Sequence, residues 1–284
     1  PCTINPNRHY MFPAIYVEST LRDHPRVQAI CERFKDAPVI SCERYTEVFN
    51  RKAQNFRLQK QKPSLILAKK HKNFLLPTPK SYGIGSENNF YFSHMFNCIY
   101  DCRYCFLQGM YSSAHYVVFV NYEDFLDSME EKLKSFSEEQ KVYFFSGYDC
   151  DSLALEPVTH FINAFLPLFK KYPKQAFLEL RTKSSNIQAL LNQDPLPNCI
   201  VAFSLTPEEI SRSLEHKTPS IEKRLRCLKT LQDHGWPLGL RFDPLIYTDN
   251  YKILYKGLLE SVFSLLDPDF IHSVSMGPFR LPKP

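Results

Sequence analysis

From Tyr91 onward the chain alternates short β-rich runs with segments whose apolar residues recur at helical spacing, and no other feature restricts its fold as sharply. FYFSH and YVVFVN read as strands, YEDFLDSMEEKLKSF as an amphipathic helix and KVYFFSGYD as a buried strand. VTHFINAFLPLFKKY then gives a helix, AFLELRTK a strand, NIQALLNQ a helix and CIVAFSLT a strand. SIEKRLRCLKTLQDHG is a long helix ended by Gly235, followed by the strand WPLGLRFDPLI, the helix YKILYKGLLESVFSLL and a last strand, DFIHSVSMGPF. Such alternation predicts an α/β fold with a parallel sheet, closed or partly closed as a barrel, and functional side chains at the carboxyl ends of its strands. Residues 1–85 mix the apolar runs AIYVES, PVISCE and SLILAKK with polar connections, which predicts an N-terminal α+β extension ahead of a barrel over 86–284.

At 284 residues the chain buries a substantial core without disulfide staples. Its nine cysteines include five scattered singly, Cys2, Cys31, Cys42, Cys199 and Cys227, unlike the dense framework of a small secreted domain. A reducing cytoplasm is the expected setting, where clustered cysteines more often ligate metal than pair. The opening PCTINPNRHYMF lacks a basic region followed by an apolar stretch, and no run approaches the length of a membrane span. If residue 1 lies near the true start, a soluble, non-exported protein is expected. The net charge of +5 is modest but unevenly spread. No acidic residue lies between Glu47 and Glu87, while Arg51, Lys52, Arg57, Lys60, Lys62, Lys69, Lys70, Lys72 and Lys80 all do. That stretch suits a polyanion partner or, equally, a solvated basic face.

Cys98, Cys102 and Cys105 follow a predicted strand directly, a position that lets three thiolates converge on one centre. A structural zinc site would need a fourth protein ligand, and the nearby His94 and His115 lack the expected spacing. A [4Fe-4S] cluster held by three thiolates would instead leave one iron open to an external chelator. The Cys-x3-Cys-x2-Cys pattern with Tyr104 before the third cysteine resembles the radical S-adenosylmethionine (AdoMet) superfamily. That resemblance implies a cluster whose open iron is chelated by the methionine end of AdoMet, and a 5′-deoxyadenosyl radical as the reagent.

The likeness extends along the chain. KPSLILAKKHK, SHMFNCIYDCRYCFLQ, YVVFVN, LRTKSSNI, AFSLTPEEI with Glu215 and Arg224 downstream, and PLGLRFDPLIY together resemble spore photoproduct lyase and its relatives. The resemblance implies a partial (β/α)6 TIM-type barrel and a lyase that repairs a thymine dimer in DNA, fed by an external electron donor such as flavodoxin or ferredoxin. A monomer is expected. Carried over by position, Tyr104 packs at the adenine, Ser146 and Gly147 meet the methionine amino group with Asp151 close by, Lys183 meets the carboxylate and Ser204 the ribose. Asp243, a carboxylate at a strand end, faces the barrel mouth as a further candidate contact to cofactor or substrate.

The pattern departs from the family where its chemistry is most specialised. Tyr148 stands at the position of the hydrogen-donating cysteine, Cys150 falls two residues later, and Phe106 stands where a relay tyrosine is expected. A phenol donates a hydrogen atom and a phenyl ring does not, so Tyr148 and Cys150 are the candidate donors. If they lie on one strand, both face one side. The altered donors leave open a radical reaction on another substrate, such as RNA, a peptide or a metabolite; a zinc-containing nucleic-acid-binding protein is the non-enzymatic alternative. The family pattern also runs on beyond SMGPFRLPKP, so phosphate contact is expected to rest on the basic stretch 51–80. His160 reads as a capping residue, Trp236 as packing at a turn, and Cys31, Cys42, Cys199 and Cys227 as buried thiols.

Overall fold

The computed structural model describes residues 12–79 and 82–279. Two compact units emerge: one from the chain up to Lys70 together with Tyr111–Val120, the other from His71–Met110 and from Asn121 onward. In the first, the strands Val39–Cys42, Ile15–Glu18, Leu65–Ala68 and Tyr116–Phe119 lie side by side in that order, all parallel. This part of the extension is thus an α/β layer where an α+β mixture was expected. YVVFVN belongs here and not to the barrel series, because its strand registers against Leu65–Ala68. Its pattern specified a buried strand, and both of these strands are wholly buried.

Part of the basic stretch is folded into this unit. Lys60, only 4% exposed, lies 5.6 Å over the Tyr116 ring, and Lys70 lies 4.8 Å over Phe119, cation–π contacts that use the charge internally. Arg51, Lys52, Arg57 and Lys62 are exposed, and Lys80 lies outside the described residues.

The second unit carries the barrel. We label its parallel strands β1 (Asn88–Tyr91), β2 (Val142–Ser146), β3 (Ala176–Thr182), β4 (Cys199–Ser204), β5 (Leu238–Leu245) and β6 (Ile271–Pro278). They pair in chain order, each parallel to the next, and the short strand Leu76–Pro77 extends the sheet antiparallel beyond β1. Sequential order with helices between strands is the winding of a TIM-type barrel, here a partial one of six βα strands. YEDFLDSMEEKLK forms α1 (Tyr122–Lys134), burying Tyr122, Phe125, Met129 and Leu133 at helical spacing. FINAFLPLFKK forms α2 (Phe161–Lys171), whose Phe165 stacks on Phe92 at 5.3 Å. Each such buried aromatic contributes about 1.5–3 kcal/mol. Gly235 ends the helix Ile221–His234 in the left-handed conformation, φ 98°, and Trp236 behind it is fully buried, as the sequence suggested.

The register assigns side chains to the two faces. Leu178, Leu180, Phe144, Val201, Phe203 and Leu240 face the helices and are fully buried. The other face carries Phe177, Glu179 and Arg181 on β3, Tyr143 and Phe145 on β2, Ile200, Ala202 and Ser204 on β4, and Gly239, Arg241 and Asp243 on β5. Tyr143, Phe145 and Ile200 pack there with Tyr82, Ile84, Tyr91 and Phe177, forming an apolar floor. Above it the face is ionic. Among the described residues no helix is long and apolar enough to cross a membrane, and all eight described cysteines are free thiols. Cys199 and Cys227 are buried as expected, whereas Cys31 and Cys42 are only half-buried.

Glu156 caps the start of α2 from within the core, with both carboxylate oxygens 3.2 Å from the Ile162 amide. Burial pushes its pKa from 4.5 up to about 8 against those amide bonds. A carboxyl that keeps its proton in the folded state while the unfolded chain ionises weakens folding as pH rises between those values. Stability should therefore fall from about pH 5 to pH 8, and Glu156→Gln should flatten that decline. Urea unfolding across the pH range measures it.

Candidate active site

The cysteine loop is tied to the barrel by a two-residue antiparallel ladder: Glu215 pairs with Cys102 and His216 with Asp101, while the Arg103 amide donates to the Leu214 carbonyl at 2.7 Å. That pairing places the Glu215 carboxylate beneath the loop, where its side chain is fully buried. Its Oε1 accepts the Tyr104 hydroxyl and, at 3.0 Å, the Thr206 hydroxyl. Its Oε2 accepts Ser211 Oγ at 2.9 Å and Arg224 Nη2 at 2.5 Å. Lys183 Nζ stands 4.0 Å from the same carboxylate and 5.7 Å over the Tyr104 ring. Burial alone would raise the carboxyl, but Lys183, Arg224 and the Tyr104 hydroxyl outweigh it and hold its pKa at about 2.

Arg224 is equally buried and satisfied. It donates to the Ser204 and Pro219 carbonyls at 3.1 and 3.0 Å and to Thr218 Oγ1 at 2.8 Å, besides Glu215. The structure thus brings Tyr104 and Lys183 onto one carboxylate, with the backbone of Ser204 joined through Arg224. Glu215 was noticed in the sequence only as part of a pattern; its central position arises from pairing with residues more than a hundred positions away.

The turn after β2 is organised otherwise. Ser146 faces the helices, its hydroxyl 2.6 Å from Ser152 Oγ and 3.2 Å from the Glu179 carbonyl. Gly147 follows at φ +82°, and a Cβ there would sit 2.7 Å from Ser152 Oγ and 2.8 Å from the Arg181 carbonyl. Only glycine fits. Asp151 is buried, with Oδ1 accepting the Leu153 and Ala154 amides and Thr182 Oγ1 at 3.0, 2.9 and 2.7 Å, and Oδ2 accepting the Lys183 amide at 2.6 Å. Its oxygens brace this turn against the end of β3. Asp243 on β5 is held by Arg181 at 3.1 Å.

Gly147 also turns the chain out of the strand before both candidate hydrogen donors. The strand stops at Ser146, so the alternation that would have put Tyr148 and Cys150 on one side does not apply. Tyr148 is 37% exposed, stacked on Tyr91 at 4.4 Å with Phe106 5.7 Å away. Cys150 is buried, and burial with the neighbouring Cys98 pushes its thiol well above the usual range. His94 is buried and stacked on Phe161 at 4.1 Å, and His115 Nδ1 accepts the Ser64 amide at 3.0 Å. His160, exposed and left-handed at φ 47°, ends the short helix Glu156–Thr159 ahead of α2 and makes no side-chain cap there.

A family model described as spore photoproduct lyase matches residues 10–277. The chain belongs to the spore photoproduct lyase family. It is similar to the spore photoproduct lyase of Bacillus subtilis strain 168, 24% identical over 179 residues that cover 63% of this chain and 52% of that protein. The Clostridium acetobutylicum spore photoproduct lyase is 24% identical over 166 residues, covering 57% and 48%. The chain thus spans about half the length of the curated relatives it matches. Among solved structures, a spore photoproduct lyase variant with bound AdoMet and dinucleoside spore photoproduct superposes with a TM-score of 0.84 at 17% identity, covering 96% of this chain and 80% of that one. Spore photoproduct lyase complexed with dinucleoside spore photoproduct gives 0.77 at 16% identity, covering 94% and 78%. The half-barrel fold is therefore that of this radical SAM family.

The family implies a cluster at the three cysteines, and the donor set here fits one. Cys105 donates its amide to the Cys102 carbonyl at 3.0 Å, closing a tight turn, and Cys98 Sγ accepts the Tyr100 amide at 3.4 Å. Among the described residues no group of three or more His, Cys, Asp or Glu is arranged to hold a single metal ion. An iron–sulfur cube spreads its thiolates over separate irons, and three thiols are what this loop would offer.

Glu215→Gln removes the counter-charge of a buried arginine and should cost about 3–5 kcal/mol of stability. Because the folded pKa lies below the unfolded value of 4.5, this contribution is present above pH 4.5 and lost as pH falls toward about 2. Acid unfolding of wild type and variant, compared by circular dichroism, checks both magnitude and direction.

Proposed function

We propose that this chain is a radical SAM lyase that reverses a pyrimidine photoproduct in DNA, with Cys98, Cys102 and Cys105 holding a [4Fe-4S] cluster and the adjoining strand ends holding AdoMet. Bound together, cluster and AdoMet supply a 5′-deoxyadenosyl radical able to abstract a hydrogen atom. The observation that carries this reading is the convergence of Tyr104 and Lys183 on the Glu215 carboxylate directly beneath the cysteine loop. Tyr104 presents an aromatic face for the adenine. Lys183, half-buried, offers its ammonium to a carboxylate, and Ser204 and Gly147 line the neighbouring strand ends. Ser146 and Asp151 act by fixing the turn that carries Gly147, and Asp243 is engaged by Arg181 and not by the AdoMet-holding strand ends.

Tyr148 is the better placed hydrogen donor. A donor must touch the substrate carbon, and Tyr148 is exposed at the strand end while Cys150 is buried. The hydrogen atom leaves the phenol O–H, and the tyrosyl radical left behind stacks on Tyr91. Free thiols throughout the described chain and a sulfur-held cluster suit the cytoplasm, with electrons from a flavodoxin- or ferredoxin-type protein. The protein acts as a monomer in this reading.

The test is incubation of the reduced, reconstituted enzyme and AdoMet with ultraviolet-irradiated thymidine-rich oligonucleotides. Thymine should be regenerated, Tyr148→Phe should lose at least about tenfold in that rate, a factor worth 1.36 kcal/mol, and Cys150→Ala should retain most of it. Formation of 5′-deoxyadenosine without repair would point to another substrate, and a rate lost in Cys150→Ala but kept in Tyr148→Phe would move the donor to the thiol.

A further inference from the structure

Two ion pairs cross the inner face of the half-barrel from β3 to β5, and they are built differently. Glu179 takes Arg241 in a two-pronged grip, 3.2 Å to Nε and 2.8 Å to Nη2, and Arg241 also donates to the carbonyl and hydroxyl of Ser273 at 3.1 and 2.9 Å. Both side chains are almost completely buried, so that pair is closed. One rung higher, toward the strand ends, Arg181 gives a single N–H to Asp243 at 3.1 Å and another to the Tyr82 hydroxyl at 2.7 Å. Arg181 is 20% exposed and Asp243 35%. A guanidinium carries five N–H donors in a rigid plane. Here one phenol and one carboxylate fix that plane with two of the five donors, and the side chain keeps 20% of its surface exposed.

The packing beneath explains why the fork is held in place. Tyr82 lies edge-on to Phe145 at 5.2 Å, so its hydroxyl is delivered by the apolar floor. Gly277 on β6 leaves room for Asp243, since a Cβ there would lie 2.8 Å from Oδ1. Arg181 has partners distinct from those of Lys183, which lies near Tyr104 and Glu215 beside the cysteine loop. The unit therefore presents a second oriented cation at the end of β3. A planar fork of this kind matches the oxygens of a phosphate better than a point charge would.

We propose that Arg181, oriented by Tyr82 and Asp243, is the anchor for an internucleotide phosphate of the strand that carries the lesion. This rests on the nucleic-acid reading given above. Arg181 thereby sets how far the strand enters the mouth, and Tyr82 is the positioning residue that aims it. A carboxylate is the other oxyanion such a fork accepts, and AdoMet carries one, so the test has an arm for each.

Binding of a fluorescently labelled, irradiated oligo-thymidine to wild type, Arg181→Gln and Tyr82→Phe is followed by anisotropy over a salt series, with AdoMet binding to the reconstituted proteins measured in parallel. Arg181→Gln should weaken oligonucleotide binding severalfold at low salt and reduce the log–log salt slope by about 0.7, the share of one phosphate on a single strand. Tyr82→Phe keeps the charge and should weaken binding about threefold with the slope retained, as expected when orientation alone is lost. AdoMet affinity should be unchanged in both. An unaltered slope in Arg181→Gln, undiminished affinity in Tyr82→Phe, or loss of AdoMet binding in place of oligonucleotide binding would each overturn the anchor. Should wild type itself bind no oligonucleotide, the nucleic-acid reading fails with it, a pattern distinct from failure of the variants alone.

Discussion

A single buried carboxylate, Glu215, joins the parts of this molecule that matter for chemistry. Removing a carboxylate from water is costly, and it persists here because Arg224 neutralises it while hydroxyls of Tyr104, Thr206 and Ser211 satisfy its remaining lone pairs. Each of those partners comes from a different segment. The cysteine loop, the end of β4, the stretch after it and the helix Ile221–His234 are consequently fixed to one another through one charge. The two-residue ladder from Glu215 to Cys102 does the same through backbone. Beyond that ladder the three-thiol loop has little regular structure to stiffen it, so its precision derives from this buried node.

The same logic shapes the inner face of the sheet. Charges on β3 and β5 reach each other across β4 because β4 offers only Ala202 and Ser204 between them, and because Gly239 leaves the space that Arg241 fills. A Cβ at Gly239 would meet Ala202 Cβ and Arg241 Nη2, each at 2.8 Å. Small residues on the central strand and long ones on its flanks give a polar upper face over an aromatic floor. Charge and hydroxyls lie toward the strand ends, and Tyr143, Phe145 and Ile200 pack as the floor below them.

Much of the fold was legible because its periodicities are strong. Amphipathic helices such as Tyr122–Lys134 and wholly apolar strands such as Cys199–Ser204 carry their identity in a few residues. YVVFVN showed where periodicity stops: it specifies a buried strand without saying which sheet takes it, and pairing with Leu65–Ala68 decided that. The separation of Tyr148 from Cys150 was hidden for another reason. A glycine after a strand is compatible with continued alternation or with a left-handed turn, and contacts with Ser152 and Arg181 from elsewhere in the chain select the turn. The spacing of Cys98, Cys102 and Cys105 stood out in the sequence, and resemblance singled out Lys183 and Tyr104 as candidates. Glu215 was marked only by resemblance and Asp243 only by its strand-end position; their partners, and Arg181 and Tyr82 altogether, were not readable, since a glutamate after Leu214 or an arginine inside LELRT has no local signature of burial or of its distant partners.

Electron paramagnetic resonance of the anaerobically reconstituted and reduced protein, recorded with and without AdoMet, addresses the central claim most directly. If three thiolates hold a cube with one iron open beside the Glu215 node, a [4Fe-4S]⁺ signal appears and its g values shift when AdoMet is added. A protein that takes up zinc in place of iron, or a cluster signal indifferent to AdoMet, would contradict it.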